Sequence, residues 1–234
     1  MVAMPGAGFD GDFARRAFGP AARTLGIDIR PVDPDPYDWV GGYRGALDAA
    51  ARHGAVLAVG ISIGACAAIR WALDNPQRCA GVWAALPPWT GAAGDAPASL
   101  SATFGADSIE RTGLDATLDE MRVGSPAWLA DELERSWRAI AARGPGDGSA
   151  LVTLFRQVAS FTAPTDDELS ALAATGVPVV VTAATDDPVH PAMVAQHWRA
   201  ASGNEFRYGT VTLEQIGIER GAIGESCARA WSDR

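Results

Sequence analysis

The chain has 234 residues, 48% hydrophobic and 20% charged, and a formal charge of -9. It can bury enough apolar surface to offset chain entropy, which excludes disorder and predicts one substantial domain, with or without a helical insertion. The acidic balance opposes attraction to phosphate backbones, no basic run is present, and no stretch approaches the roughly 20 apolar residues of a membrane span, so neither nucleic acid nor a membrane is expected as a partner.

In chain order, Val2-Ala3-Met4 reads as a short buried strand that runs into the glycine loop Pro5-Gly6-Ala7-Gly8, and 10–25 reads as a helix ended by Gly26. The opening residues lack a basic region followed by an apolar one, so a cytoplasmic location is the expectation. The alternation of 27–32 predicts a second strand, and 43–53 a second helix. Residues 55–59 form a continuous apolar run of strand length, suited to a parallel strand buried on both faces. A helix over 65–73 follows and stops at Asn75-Pro76. Further strands are predicted at 80–86, 177–184 and 206–213, with a closing helix at 221–231.

Residues 89–176 break this strand-helix rhythm, with helix-like segments at 108–121, 126–143, 150–161 and 165–174. The expected organisation is therefore a doubly wound core of 1–88 and 177–234 with a helical lid at 89–176. Cys66, Cys79 and Cys227 are odd in number and have no metal-ligand spacing, so they read as reduced, partly buried thiols, and no metal or cofactor is expected.

The chemistry-bearing motif is Gly60-Ile61-Ser62-Ile63-Gly64. A nucleophilic serine must be held clear of the sheet, and a tight strand-to-helix turn does this only if its neighbours are small. The new helix also points amides at a developing oxyanion, which nominates the Ile63 N–H as a donor.

With this elbow, the continuation Trp71-Ala72-Leu73-Asp74-Asn75-Pro76 into the next strand, and the late strand Val177-Pro178-Val179-Val180-Val181 followed by Asp187-Pro188-Val189-His190-Pro191, the chain resembles the α/β-hydrolase superfamily along nearly its whole length. The resemblance implies a mostly parallel sheet of about six strands, the family's first two being absent. It also implies Ser62 as nucleophile, Asp187 rather than Asp186 as the acid that orients a histidine, and the Ala7 amide as second oxyanion donor. The family's late histidine is missing: Ile218 stands where it is expected.

Only His53, His190 and His197 can serve as a general base. His53 is predicted at the opposite end of the sheet from Ser62, and His197 about two turns into a helix. His190 follows the late strand at the edge where parallel sheets bind ligands, either as the base or as a pocket-lining loop residue. Asp187 is alternatively a cap for the helix after Pro191. Trp89, Trp128, Trp137, Phe155 and Phe161 are candidates for an apolar acyl pocket or for the lid's own core.

The reading these residues support is a serine hydrolase, esterase- or thioesterase-like, acting on a small apolar ester or thioester. The alternative is a family member without turnover that binds a small ligand or partner, motivated by the absent late histidine. A third reading takes Gly6-Ala7-Gly8-Phe9-Asp10-Gly11 as a GxGxxG cofactor loop, against which Asp10 and Asp12 would repel a pyrophosphate. A small-molecule substrate is the expected partner, and a homodimer is left open.

Overall fold

Runs without polar alternation become strands covered on both faces, and three of them, β3 (Val56–Ile61), β4 (Cys79–Ala85) and β5 (Val179–Ala184), form the centre of the sheet in a computed structural model that describes residues 1–232. The remaining strands are β1 (Val2–Met4), β2 (Arg30–Pro31) and β6 (Arg207–Val211). The six lie in the order β2-β1-β3-β4-β5-β6, and every neighbouring pair is parallel.

Helices cover both faces. On one, α1 (Gly11–Thr24) and α11 (Ala222–Ser232) bury Phe13, Phe18, Trp83 and Cys227. On the other, α2 (Trp39–Ala51) and α3 (Ile63–Asp74) enclose Trp39, Tyr43 and Ile69. This is the doubly wound, parallel architecture expected from the alternation of strands and helices.

Between β4 and β5 the chain forms α4 (Pro97–Thr112), α5 (Leu114–Gly124), α6 (Ala127–Ala141) and α7 (Ser149–Ala159), which pack successively on one another. A fifth helix, α8 (Asp166–Ala174), packs instead on α3 and on α9 (Ala192–Ala201), so the end of the 89–176 stretch rejoins the flank of the sheet.

Several boundaries differ from the sequence reading for identifiable reasons. The strand expected at 27–32 pairs only over Arg30–Pro31, because it is an edge strand whose proline has no N–H to donate. The helix expected at 108–121 is two helices parted by Gly113 at φ 87°, and α4 begins earlier, with Pro97 in its first turn. A short helix, α10 (Leu213–Ile218), follows β6, started by a reciprocal capping box between Thr212 and Gln215.

Buried charge ties α6 to the sheet layer. Glu132 receives Arg16 through both carboxylate oxygens at 2.5 and 2.6 Å, Arg220 at 3.2 Å and Arg135 at 3.1 Å. Burial would raise the Glu132 carboxyl, but the hydrogen bonds from Arg16, Arg135 and Arg220 outweigh it and hold the group at about 2.

A carboxyl depressed in the folded state contributes stability that is present above its ordinary value of 4.5 and is lost as pH falls towards about 2. The unfolding temperature of Glu132→Gln, compared with that of the native chain, should therefore be lower at neutral pH. The gap should close between these two pH values, and a constant gap would show that the carboxylate's charge is not what matters.

Candidate active site

The first turn of α3 lies against the ends of β1 and β3. A Cβ on Gly60 would overlap the backbone carbonyl of Gly64, and a Cβ on Gly64 would overlap the Met4 carbonyl. This close crossing leaves Ser62, between β3 and α3, at φ 55° and ψ -115°, a conformation that costs a non-glycine residue roughly 1–3 kcal/mol. The Ser62 amide donates to the Ala85 carbonyl of β4 at 3.0 Å, and its own carbonyl accepts from Ala65 at 2.9 Å, so the strained residue is held on both sides. Leu86, after β4, also has positive φ, at 50°. The sequence offered little sign of it, since the following Pro87 disfavours helical geometry without dictating this one.

His190 and Asp187 follow β5 at the same edge of the sheet. The Asp187 Oδ1 accepts the amides of Val189 at 2.7 Å and His190 at 3.1 Å, a local turn that fixes the carboxylate. Its Oδ2 lies 3.0 Å from His190 Nδ1, and His190 Nε2 lies 3.0 Å from Ser62 Oγ. With an acceptor at Nδ1, the neutral ring carries its proton there, which leaves Nε2 free to accept from the serine hydroxyl. Burial pushes the Asp187 carboxyl up, but His190 and the two amides prevail and hold it below its ordinary value, so it stays anionic beside the ring.

The other candidates lie elsewhere. His53 is exposed beyond the end of α2, and His197 pairs with Asp166 at 2.8 Å on the surface. Asp186 accepts the Leu213 amide at 2.6 Å and so ties the acid loop to α10. Asp187 does not cap α9, whose N-cap is Pro191. Ile218 is 81% exposed at the end of α10, and no histidine takes its place there.

Ser62, Asp187 and His190 open onto a cavity of about 430 Å³ roofed by α4, α5, α6 and α7. Trp89, Trp128 and Trp137 line it, with Phe155, Phe9 and Met121, the last two not foreseen from sequence. Phe161 does not; its ring packs edge-on against Trp39 at 4.8 Å. Trp137 and Phe155 meet edge to face at 5.1 Å, so part of the wall also packs α6 against α7. Among the described residues, the only ionisable lining residue besides Asp187 and His190 is Glu120, which is exposed.

The loop after β1 passes directly beside the serine. A Cβ on Gly6 would sit 3.3 Å from the Ser62 Cβ, and Ala7 lines the cavity. Ile63 is the first residue of α3, where amides have no partner within the helix. The GxGxxG run does not open onto a free helix start, because the Asp10 side chain already caps α1 by accepting the Phe13 amide at 2.9 Å.

The sequence model described as "Alpha/beta hydrolase family" matches residues 2–217. The chain belongs to that family. No curated protein is similar enough in sequence to stand as a relative. Among solved structures, this alpha/beta hydrolase is similar to a hydrolase from Oleispira antarctica, with a TM-score of 0.70 at 12% identity over 99% of this chain and 90% of that one. A thermophilic esterase from Thermogutta terrifontis gives 0.66 at 14% identity over 98% and 88%. A thioesterase domain from the curacin biosynthetic pathway gives 0.64 at 12% identity over 99% and 90%.

Because the Gly64 position is closed by the Met4 carbonyl, Gly64→Ala should destabilise the fold by about 1–3 kcal/mol, as overpacking does. Denaturant titration measures this, and an unchanged midpoint would mean that β1 and α3 can separate without cost.

Proposed function

We propose that this alpha/beta hydrolase cleaves small, apolar esters or thioesters through an acyl-enzyme at Ser62. The observation that carries the reading is the unbroken chain of hydrogen-bond distances from Asp187 to His190 to Ser62. His190 Nε2 takes the hydroxyl proton as Oγ bonds to the substrate carbonyl carbon. The carbonyl oxygen becomes an anion, for which the Ala7 and Ile63 amides are the assigned donors. As the tetrahedral adduct collapses, the bond to the leaving oxygen or sulfur breaks and His190 returns the proton to it. A water then attacks the acyl carbon with His190 again as base, releasing the acid and restoring Ser62.

Esterase and thioesterase neighbours support this substrate class, as does a wall dominated by aromatic and aliphatic groups. The reading without turnover rests on the missing late histidine, and the 3.0 Å between His190 Nε2 and Ser62 Oγ counts against it. Among the described residues no arginine lines the cavity, which argues for an uncharged acyl group over one bearing a carboxylate.

A fluorophosphonate should label Ser62, and Ser62→Ala should abolish both labelling and turnover of short p-nitrophenyl esters. His190→Ala should lower kcat/KM by about 10⁴-fold, the scale of losing a member of such a triad. Labelling of that variant at the native rate would refute the assigned base. A butyryl ester should exceed a succinyl ester in kcat/KM by about tenfold, and equal rates would refute the charge argument.

A further inference from the structure

The loop proposed to supply an oxyanion donor is held from outside the sheet. Asp10, which follows the loop and caps α1, is only 6% exposed. Its carboxylate receives both terminal nitrogens of Arg135, on α6, at 2.5 and 3.0 Å. No other cation pairs with it among the described residues. The helix that brings Arg135 also brings Leu133 and Trp137 against the loop itself: a Cβ on Gly8 would lie 3.1 Å from Leu133 Cδ2 and 3.3 Å from Trp137 Nε1. Tyr43 donates to the Pro5 carbonyl at 2.9 Å, and the Phe9 amide closes the loop onto the Gly6 carbonyl at 3.1 Å.

We propose that Arg135 is a positioning residue that acts through Asp10 to set the loop carrying the Ala7 amide, so that α6 in the lid and the oxyanion donor are placed as one unit. The proposal rests on the acyl-transfer reading above. A bidentate guanidinium-carboxylate pair fixes both distance and plane. The buried Asp10 carboxylate loses its only cation if α6 moves away, which makes its own position depend on that helix. A displacement of about 1 Å at a donor that acts only on the developing charge weakens the transition state and leaves ground-state binding nearly unchanged.

The test compares the native chain with Arg135→Ala, Arg135→Lys and Asp10→Asn. Asparagine retains the cap and removes the charge, so this variant keeps the question open to experiment if Arg135→Ala fails to fold. With a short p-nitrophenyl ester, Arg135→Ala and Asp10→Asn should lower kcat by about 10- to 100-fold with KM little changed, somewhat below the loss of a whole oxyanion donor. A trifluoromethyl ketone, which forms the oxyanion, should bind more weakly by the same factor, while the corresponding secondary alcohol keeps its affinity. Added guanidinium ion should restore part of the Arg135→Ala rate, and Arg135→Lys should lie between.

Unchanged kcat, or equal weakening of ketone and alcohol, overturns the proposal. If the native chain neither turns over esters nor binds the ketone, the acyl-transfer reading fails by itself. Hydrogen exchange at the Phe9 amide then decides the positioning: faster exchange in Arg135→Ala upholds the coupling, and an unchanged rate overturns it.

Discussion

The close crossing of α3 over the ends of β1 and β3 is the constraint on which the site depends. Two backbones meet there with no room for a Cβ at Gly60 or Gly64. Ser62 consequently adopts a φ that serine would not choose, and its hydroxyl projects towards the loop that carries His190. The strain is local, whereas the contacts that enforce it are spread through β3, β4 and α3, which are buried almost without interruption. A well-packed core is stiff, so the rest of the structure can hold one residue in an unfavourable conformation.

Asp187 and His190, the proposed acid and base, share one short loop after β5. The same carboxylate orients the imidazole through one oxygen and folds its own loop through the other. The arrangement needs correct placement of β5 relative to β3, which the intervening β4 provides by pairing with both. It asks nothing of the chain after β6. Its first helix, α10, is still attached to the acid loop through Asp186 and the Leu213 amide, and ends at an exposed Ile218.

The parts of this structure legible in sequence are those written in local pattern. Unbroken apolar runs predicted the central strands, and a serine between two glycines, after a strand and before a helix, identified the turn, because both follow from sterics within a few residues. His190 was ambiguous for the opposite reason. Its partner Ser62 lies 128 positions away, and proximity to Asp187 alone fits a structural loop as well as a base. Phe161 has the same composition cue as Phe155 but faces Trp39, since which side of the roof an aromatic joins depends on helix packing. The Arg16, Arg135, Arg220 and Glu132 cluster draws on α1, α6 and the segment before α11, and no spacing rule joins such distant positions.

Apart from Asp187, His190 and Glu120, the cavity lining carries no ionisable side chain among the described residues. Asp10 and Glu132 lie outside the aromatic wall, and each is matched by guanidinium groups from across the boundary between α6 and the sheet layer. Desolvating such groups costs free energy that a well-formed pair only offsets, so their net contribution to stability is small compared with the loss from removing one partner. What they impose is geometry, because a carboxylate buried at that boundary tolerates few positions of the helix facing it. The more exposed apolar side chains of the roof, Phe104 at 61% and Val123 at 90%, are on α4 and α5, away from these ion pairs. The roof is therefore asymmetric: α6 is tied by buried ion pairs to the sheet layer, whereas α4 and α5 carry exposed apolar side chains, of which Phe104 lines the cavity.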